Sequence, residues 1–214
     1  MPTASTRARR MTRSERHEQL IDIARELFAE KGLDGTSVEE IAERAGVSKP
    51  VVYEHFNGKE GLYDVVVDRE VNTLQTAIRN ALAEPAGPRK LIELGTLALL
   101  DYIDDHADGF RIISRDSTAT SPGASFATIL SDIASRVEGQ LLGEFTKRGH
   151  DPLTVPLYAQ MLVGLVALAG QWWVDNRDTH QLSKPLVAAH LVNLTWYGMR
   201  GLKAHPTLYA APMR

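Results

Sequence analysis

The sequence predicts an all-α fold, on three observations. Apolar residues recur three and four apart through most of the chain, no segment alternates convincingly as a strand would, and residues 36–62 read as two short helices joined by a tight turn. Before that unit, Leu20, Ile23, Ala24, Leu27 and Phe28 trace a helix face that stops at Lys31-Gly32. Ser37 suits the N-cap of the next helix, and Glu40 stands three residues on, the spacing of a reciprocal cap. Val38, Ile41, Ala42 and Ala45 give that helix one narrow apolar face, and Gly46 supplies the positive φ that ends it. Ser48 is placed to cap a third helix, with Pro50 in its first turn, where a missing N–H costs little. Val52 and Phe56 face inward, which leaves Lys49, Val51, Tyr53 and His55 to point elsewhere. A helix this short is unstable alone in water, so its neighbours must hold it. Such a unit presents its second helix to a DNA major groove.

Asn57-Gly58 then breaks the chain before a long helix over 59–83, striped by Leu62, Val66, Leu74, Ile78 and Leu82 and long enough to bridge two domains. The run at 84–88, Glu-Pro-Ala-Gly-Pro, stops it. A second helical body follows: a helix over 91–103, a short one over 110–114, a loop at 117–125, and a helix over 126–148 closed by Gly149. Two long apolar helices, over 154–175 and 184–204, finish the chain.

The run Ser37-x-x-Glu40-Ile41-Ala42, followed by Ala45-Gly46-Val47-Ser48 and by Tyr53-x-His55-Phe56-x-x-Lys59-Glu60-x-Leu62, resembles the signature of the TetR family of bacterial transcriptional repressors. Upstream, Ala24-x-x-Leu27-Phe28-x-x-x-Gly32 is similar to the way that family's first helix ends. The resemblance spans residues 15–65; the remainder is similar only in being helical and of suitable length. It implies a basic arm over 1–14, a DNA-binding domain over 15–60, and a larger ligand-binding and dimerisation domain over 61–214. It further implies that Lys49 reaches guanine O6 and N7 and that Pro50 and Val51 meet a thymine methyl. Ser37, Ser48, Tyr53, His55 and Lys59 would complete the DNA surface, largely through phosphates. Each has a structural alternative when taken singly: Tyr53 packed on the first helix, His55 a satisfied surface histidine, Lys59 a solvated charge. Together, at this spacing, they point to double-stranded DNA.

Composition is that of an ordinary globular chain: 214 residues, 43% hydrophobic and 24% charged, with a net charge of −3. The mild negative total hides a basic cluster, Arg7, Arg9, Arg10, Arg13 and Arg16, which reads equally as a solvated tail or as a DNA-touching arm. With no cysteine, disulfides and thiolate metal sites are excluded, and a reducing cytoplasm is the expected setting. The longest apolar run, Met161 to Gly170, is ten residues, so no membrane span is expected.

The last two helices are apolar on more than one side and must be covered on more than one side. They are either pure core or the seam of a homodimer; the family resemblance favours the dimer, paired as a four-helix bundle. Two reading helices related by a two-fold axis suit a palindromic operator. A small-molecule effector in the second body would then control DNA binding, with the 59–83 helix as transmitter. The bulky residues of that body are its candidate contacts: Tyr102, Phe110, Phe126, Met161, Trp172 and Trp173, with Arg111 as polar anchor.

No enzyme is expected, nor any cofactor or metal. The seven histidines include no i, i+3 or i, i+4 pair, and neither a phosphate-binding glycine loop nor a G-x-S-x-G elbow occurs. Asp101, Asp104, Asp105 and Asp108 suggest a calcium loop, but the position that needs a glutamate is Arg115, so they read as a solvated helix end. The remaining rival is a helical module that uses the turn motif to bind protein rather than DNA.

Overall fold

The computed structural model describes residues 11–115 and 126–207, and none of these lies in a strand. Arg7, Arg9 and Arg10 of the expected arm, and the expected loop at 117–125, lie outside the described residues. In chain order the helices are α1 (Arg13–Gly35), α2 (Val38–Ala45), α3 (Lys49–Phe56), α4 (Lys59–Ala83), α5 (Pro88–Asp105), α6 (Ala107–Arg115), α7 (Phe126–Arg148), α8 (Val155–Asp175), α9 (Arg177–His180) and α10 (Lys184–Arg200). The chain forms two compact units, Met1–Arg69 and Glu70–Arg214, so the division falls inside α4.

In the first unit, a reciprocal cap between Thr12 and Glu15 starts α1, so Arg13 and Arg16 belong to a helix rather than to an arm. Gly32, at φ 73°, breaks α1 where the sequence placed its stop. Ser37 accepts a hydrogen bond from the Glu40 N–H at 3.1 Å, and Gly46 ends α2 in the left-handed region at φ 64°. Asn57 closes α3, also left-handed at φ 57°. Leu20, Ala24, Leu27 and Phe28 of α1 are buried, as are Val38, Ile41, Ala42, Val52 and Phe56 of the two short helices. The Phe28 ring meets Tyr63 of α4 edge-on at 5.0 Å. A Cβ at Gly61 would overlap the Phe56 carbonyl oxygen, so the end of α3 lies directly on the first turn of α4.

The second unit is a helical body around Leu74, Ile78, Leu99, Ile103, Ile113, Ile133 and Val163. A satellite cluster of Leu100, Trp173, Ala188 and Leu191 ties α5, α8 and α10 together. Glu70 is buried in α4, where its carboxylate accepts from the Tyr102 hydroxyl at 3.0 Å. The aspartates at the end of α5 are not simply solvated. Lys184 lies 2.6 Å from Asp101 and 3.2 Å from Asp104, and Arg177 lies 2.7 Å from Asp104. Burial pushes the Asp104 carboxyl up, but hydrogen bonds from Lys184 and Arg177 outweigh it and leave its pKa below the usual value. Side-chain cations stand where the calcium reading put a metal.

α8 is longer than its ten-residue apolar run suggested. With the turn before it, the stretch Pro152–Asp175 has 24 residues and contains an 18-residue window with a mean hydropathy of 1.7, long and apolar enough to cross a membrane by length and composition alone. Counting an uninterrupted apolar run missed this, because polar residues such as Gln160 and Gln171 divide the helix.

Candidate nucleic-acid interface and ligand cavity

The short helix α3 is held by two anchors, Val52 and Phe56, which are 0% and 6% exposed. With those turned inward, helical geometry puts Lys49, Pro50, Tyr53 and Glu54 outward, and all four are exposed. Val51 and His55 are half-buried at the edges of that face. Tyr53 is 55% exposed, so it does not pack into the first helix; its ring leans over Gly58 instead. Ser48 precedes α3 in extended backbone, but its side chain makes no cap hydrogen bond, contrary to the sequence expectation.

Lys49 pairs with Glu39 of α2, an exposed contact that holds the Glu39 carboxyl below its usual range through the Lys49 hydrogen bond. Such pairs exchange readily with solvent and with other anions. Lys59 is different. Its ammonium donates to the carbonyls of Leu33 at 2.9 Å and Thr36 at 3.1 Å, at the C-terminal end of α1. These carbonyls carry the negative end of the helix dipole, so the side chain is committed inward. The expected phosphate contact is therefore corrected to a cap.

His17, which the sequence did not single out, stands beside His55, with Arg13 and Arg16 of the basic cluster near it. The His17 ring stacks on Phe56 at 4.4 Å and lies 5.7 Å from the His55 ring. Burial lowers the pKa of His55, and the positive charges of His17 and Arg13 push the same way. Arg16 donates to the Ala45 carbonyl at 3.2 Å, fastening α1 to the end of α2.

In the second unit a cavity of about 430 Å³ opens between α4, α5, α7, α8 and α10. None of the seven proposed ligand contacts lines it. Tyr102 is buried beneath Glu70, and Trp173 is buried with its indole N–H donating to the Leu182 carbonyl at 2.7 Å. Phe110 meets Phe126 edge-on at 6.0 Å in the core. Phe110 and Arg111 do border a separate, polar cleft of about 160 Å³. Met161 and Trp172 are 54% and 46% exposed on the outer face of α8. Among the described residues no group of three histidines or carboxylates is placed to hold a metal ion.

Residues 20–66, which contain α2, α3 and the start of α4, match the family described as bacterial regulatory proteins, tetR family. Over a longer span, the chain is 30% identical across 197 residues to the transcriptional activator FasR of Mycolicibacterium smegmatis, covering 90% of this chain and 87% of that one. The chain belongs to the TetR family. Members of the family are DNA-binding transcriptional regulators, not enzymes, and this TetR-family protein is a transcriptional regulator. It is 34% identical over 92 residues to the repressor KstR2 of Rhodococcus jostii, covering 43% of this chain and 45% of that one. Among solved structures, a TetR-family regulator from Streptomyces coelicolor aligns with a TM-score of 0.66 at 26% identity, covering 89% of this chain and 82% of that one. A TetR-like regulator from Rhodococcus sp. shares the fold with a TM-score of 0.69 at 24% identity, covering 90% and 100% of the respective chains. Homodimers and ligand response are typical of TetR regulators.

Proposed function

We propose that this TetR regulator is a homodimeric repressor that reads a palindromic operator with α3 and leaves it when a small molecule binds the C-terminal unit. The observation that carries this reading is the outer face of α3, exposed while Val52 and Phe56 fix the helix from behind. In this reading Lys49 exchanges Glu39 for guanine O6 and N7, and Pro50 and Val51 meet a thymine methyl. Ser37, Ser48, Tyr53 and His55 hold phosphates and set the register. Lys59 supports the surface from inside.

Dimerisation through α8 and α10 is supported by their outer faces. Leu157, Met161, Leu168 and Trp172 on α8, with Leu186, Leu194 and Tyr197 on α10, are all 44% exposed or more. An apolar area of this kind calls for cover, and the pairing would set two reading helices about 34 Å apart, or a multiple of that. The cytoplasm is the natural setting for such a regulator. A ligand that fits the cavity better in the DNA-free form shifts the population away from DNA, with typical couplings of about 1–3 kcal/mol.

An activator is the second reading, favoured by the likeness to FasR, itself an activator. Operator position decides between them: a site over a promoter blocks transcription, and a site upstream of one assists it.

Selection of bound sequences from a random duplex pool, followed by a salt titration, tests the DNA reading. A palindrome should emerge, with affinity falling steeply as salt rises. Lys49→Ala should relax base preference at one position in each half-site, a loss of about 1–3 kcal/mol of discrimination. Recovery of no common sequence would favour a protein-binding module instead.

A further inference from the structure

The C-terminal cavity has a chemical character as well as a size. Aliphatic side chains from α4, α5, α7 and α8, among them Ile78, Leu99, Ile133 and Val163, form its walls, and no aromatic ring is among its lining residues. Planar aromatic ligands are usually gripped by ring stacking, which this wall does not offer. Its ionised lining residues are Glu144 and Lys147, whose head groups pair with each other at 3.2 Å. Lys147 is 75% exposed, so an anionic head carried into the cavity would find no buried cation to meet it.

One buried polar atom on the lining is unsatisfied. Thr195 of α10 is 6% exposed, and its hydroxyl has no hydrogen-bond partner. Buried hydroxyls are ordinarily paired, so a partner on a ligand is the simplest way to satisfy it. Two glycines, Gly139 and Gly143, also line the cavity one turn apart on α7, and a Cβ added to either meets no atom within 4 Å. Glycine weakens a helix interior relative to alanine. Both, however, are exposed at the open rim; the glycine on the wall itself is Gly95 of α5, half-buried, where an added Cβ would meet only Leu82 at an ordinary 3.5 Å.

We propose that this cavity takes an uncharged aliphatic molecule, a saturated hydrocarbon body carrying one hydroxyl or carbonyl oxygen that pairs with the Thr195 hydroxyl. The assignment deepens the proposed ligand switch and rests on it only for its regulatory meaning. The test is calorimetric titration of the full chain with 1-alkanols and methyl ketones of rising length, with alkanoates of matched length at pH 8, and with 1-naphthol. Alkanol affinity should climb about fourfold per added methylene until the cavity is full. Alkanoates of the same length should bind at least tenfold more weakly, and naphthol without saturation.

Thr195→Val, nearly isosteric, should weaken ketone binding about fivefold while leaving the matched alkane unchanged. Gly95→Leu should fill part of the cavity from its wall and weaken binding of the whole series at least tenfold. Should Thr195→Val fail to fold, Gly95→Leu decides. The proposal is overturned if alkanoates or naphthol bind best, if folded Gly95→Leu binds like the parent, or if no alkanol or ketone binds to protein that still selects DNA. Alkanol binding that leaves operator complexes intact would overturn ligand release and leave this assignment standing.

Discussion

Lys59 shows how a single side chain can carry a motif position and serve the fold. Its ammonium satisfies two carbonyls at the end of α1, a charge-assisted contact that is only half open to solvent. Lys59→Met should therefore cost about 1–3 kcal/mol in urea unfolding, with little change in the salt slope of DNA binding. A fully stable variant with a shallower slope would restore the phosphate role. His55 offers a second check. Burial, then the charges of His17 and Arg13, lower its pKa against the opposing pull of Glu54. The folded state thus binds fewer protons on His55 than the unfolded chain does, so its contribution to stability is full above the usual 6.5 and is lost as pH falls below it. An NMR titration of its imidazole should show a midpoint under 6.5, raised by Arg13→Ala and raised further on DNA if a phosphate sits against the ring. A midpoint at or above 6.5 in the free protein would contradict the like-charge cluster.

At the scale of elements, the first unit was legible because its helix ends are written in local chemistry. Ser37, Gly46 and the Asn57-Gly58 pair act on their own backbone, and no distant contact is needed to read them. The Lys59 cap was not legible, because it depends on the end of α1 lying beside the start of α4, which no spacing along the chain reports. The four-residue α9 was missed for a related reason: Arg177 and Asp178 look like loop residues until Asp104 is seen to hold Arg177. That none of the proposed pocket residues lines the larger cavity has an instructive reason. Size drew attention to Tyr102, Phe110 and the tryptophans, but large rings fill space. The cavity is instead walled by leucine, isoleucine and valine, whose helical pattern is the same whether they face a neighbour or a void.

For the molecule as a whole, the proposed dimer rests on the outer faces of α8 and α10. Leu168 and Leu194 are each 61% exposed. Leu168→Glu combined with Leu194→Glu should yield monomers in sedimentation velocity, since each copy would carry like, unpaired charge into the seam. Operator affinity should drop to that of a half-site, while the alkanol titration described above stays unchanged. A parent protein that sediments as a monomer at micromolar concentration would remove the dimer from the mechanism.

The joint at Gly61 then bears on how any signal reaches DNA. Because the backbone at Phe56 and the first turn of α4 touch with no room for even one methyl group between them, α3 has no hinge of its own. It cannot wag or lag. The first turn of α4 and the reading helix therefore turn as a single piece within the N-terminal unit.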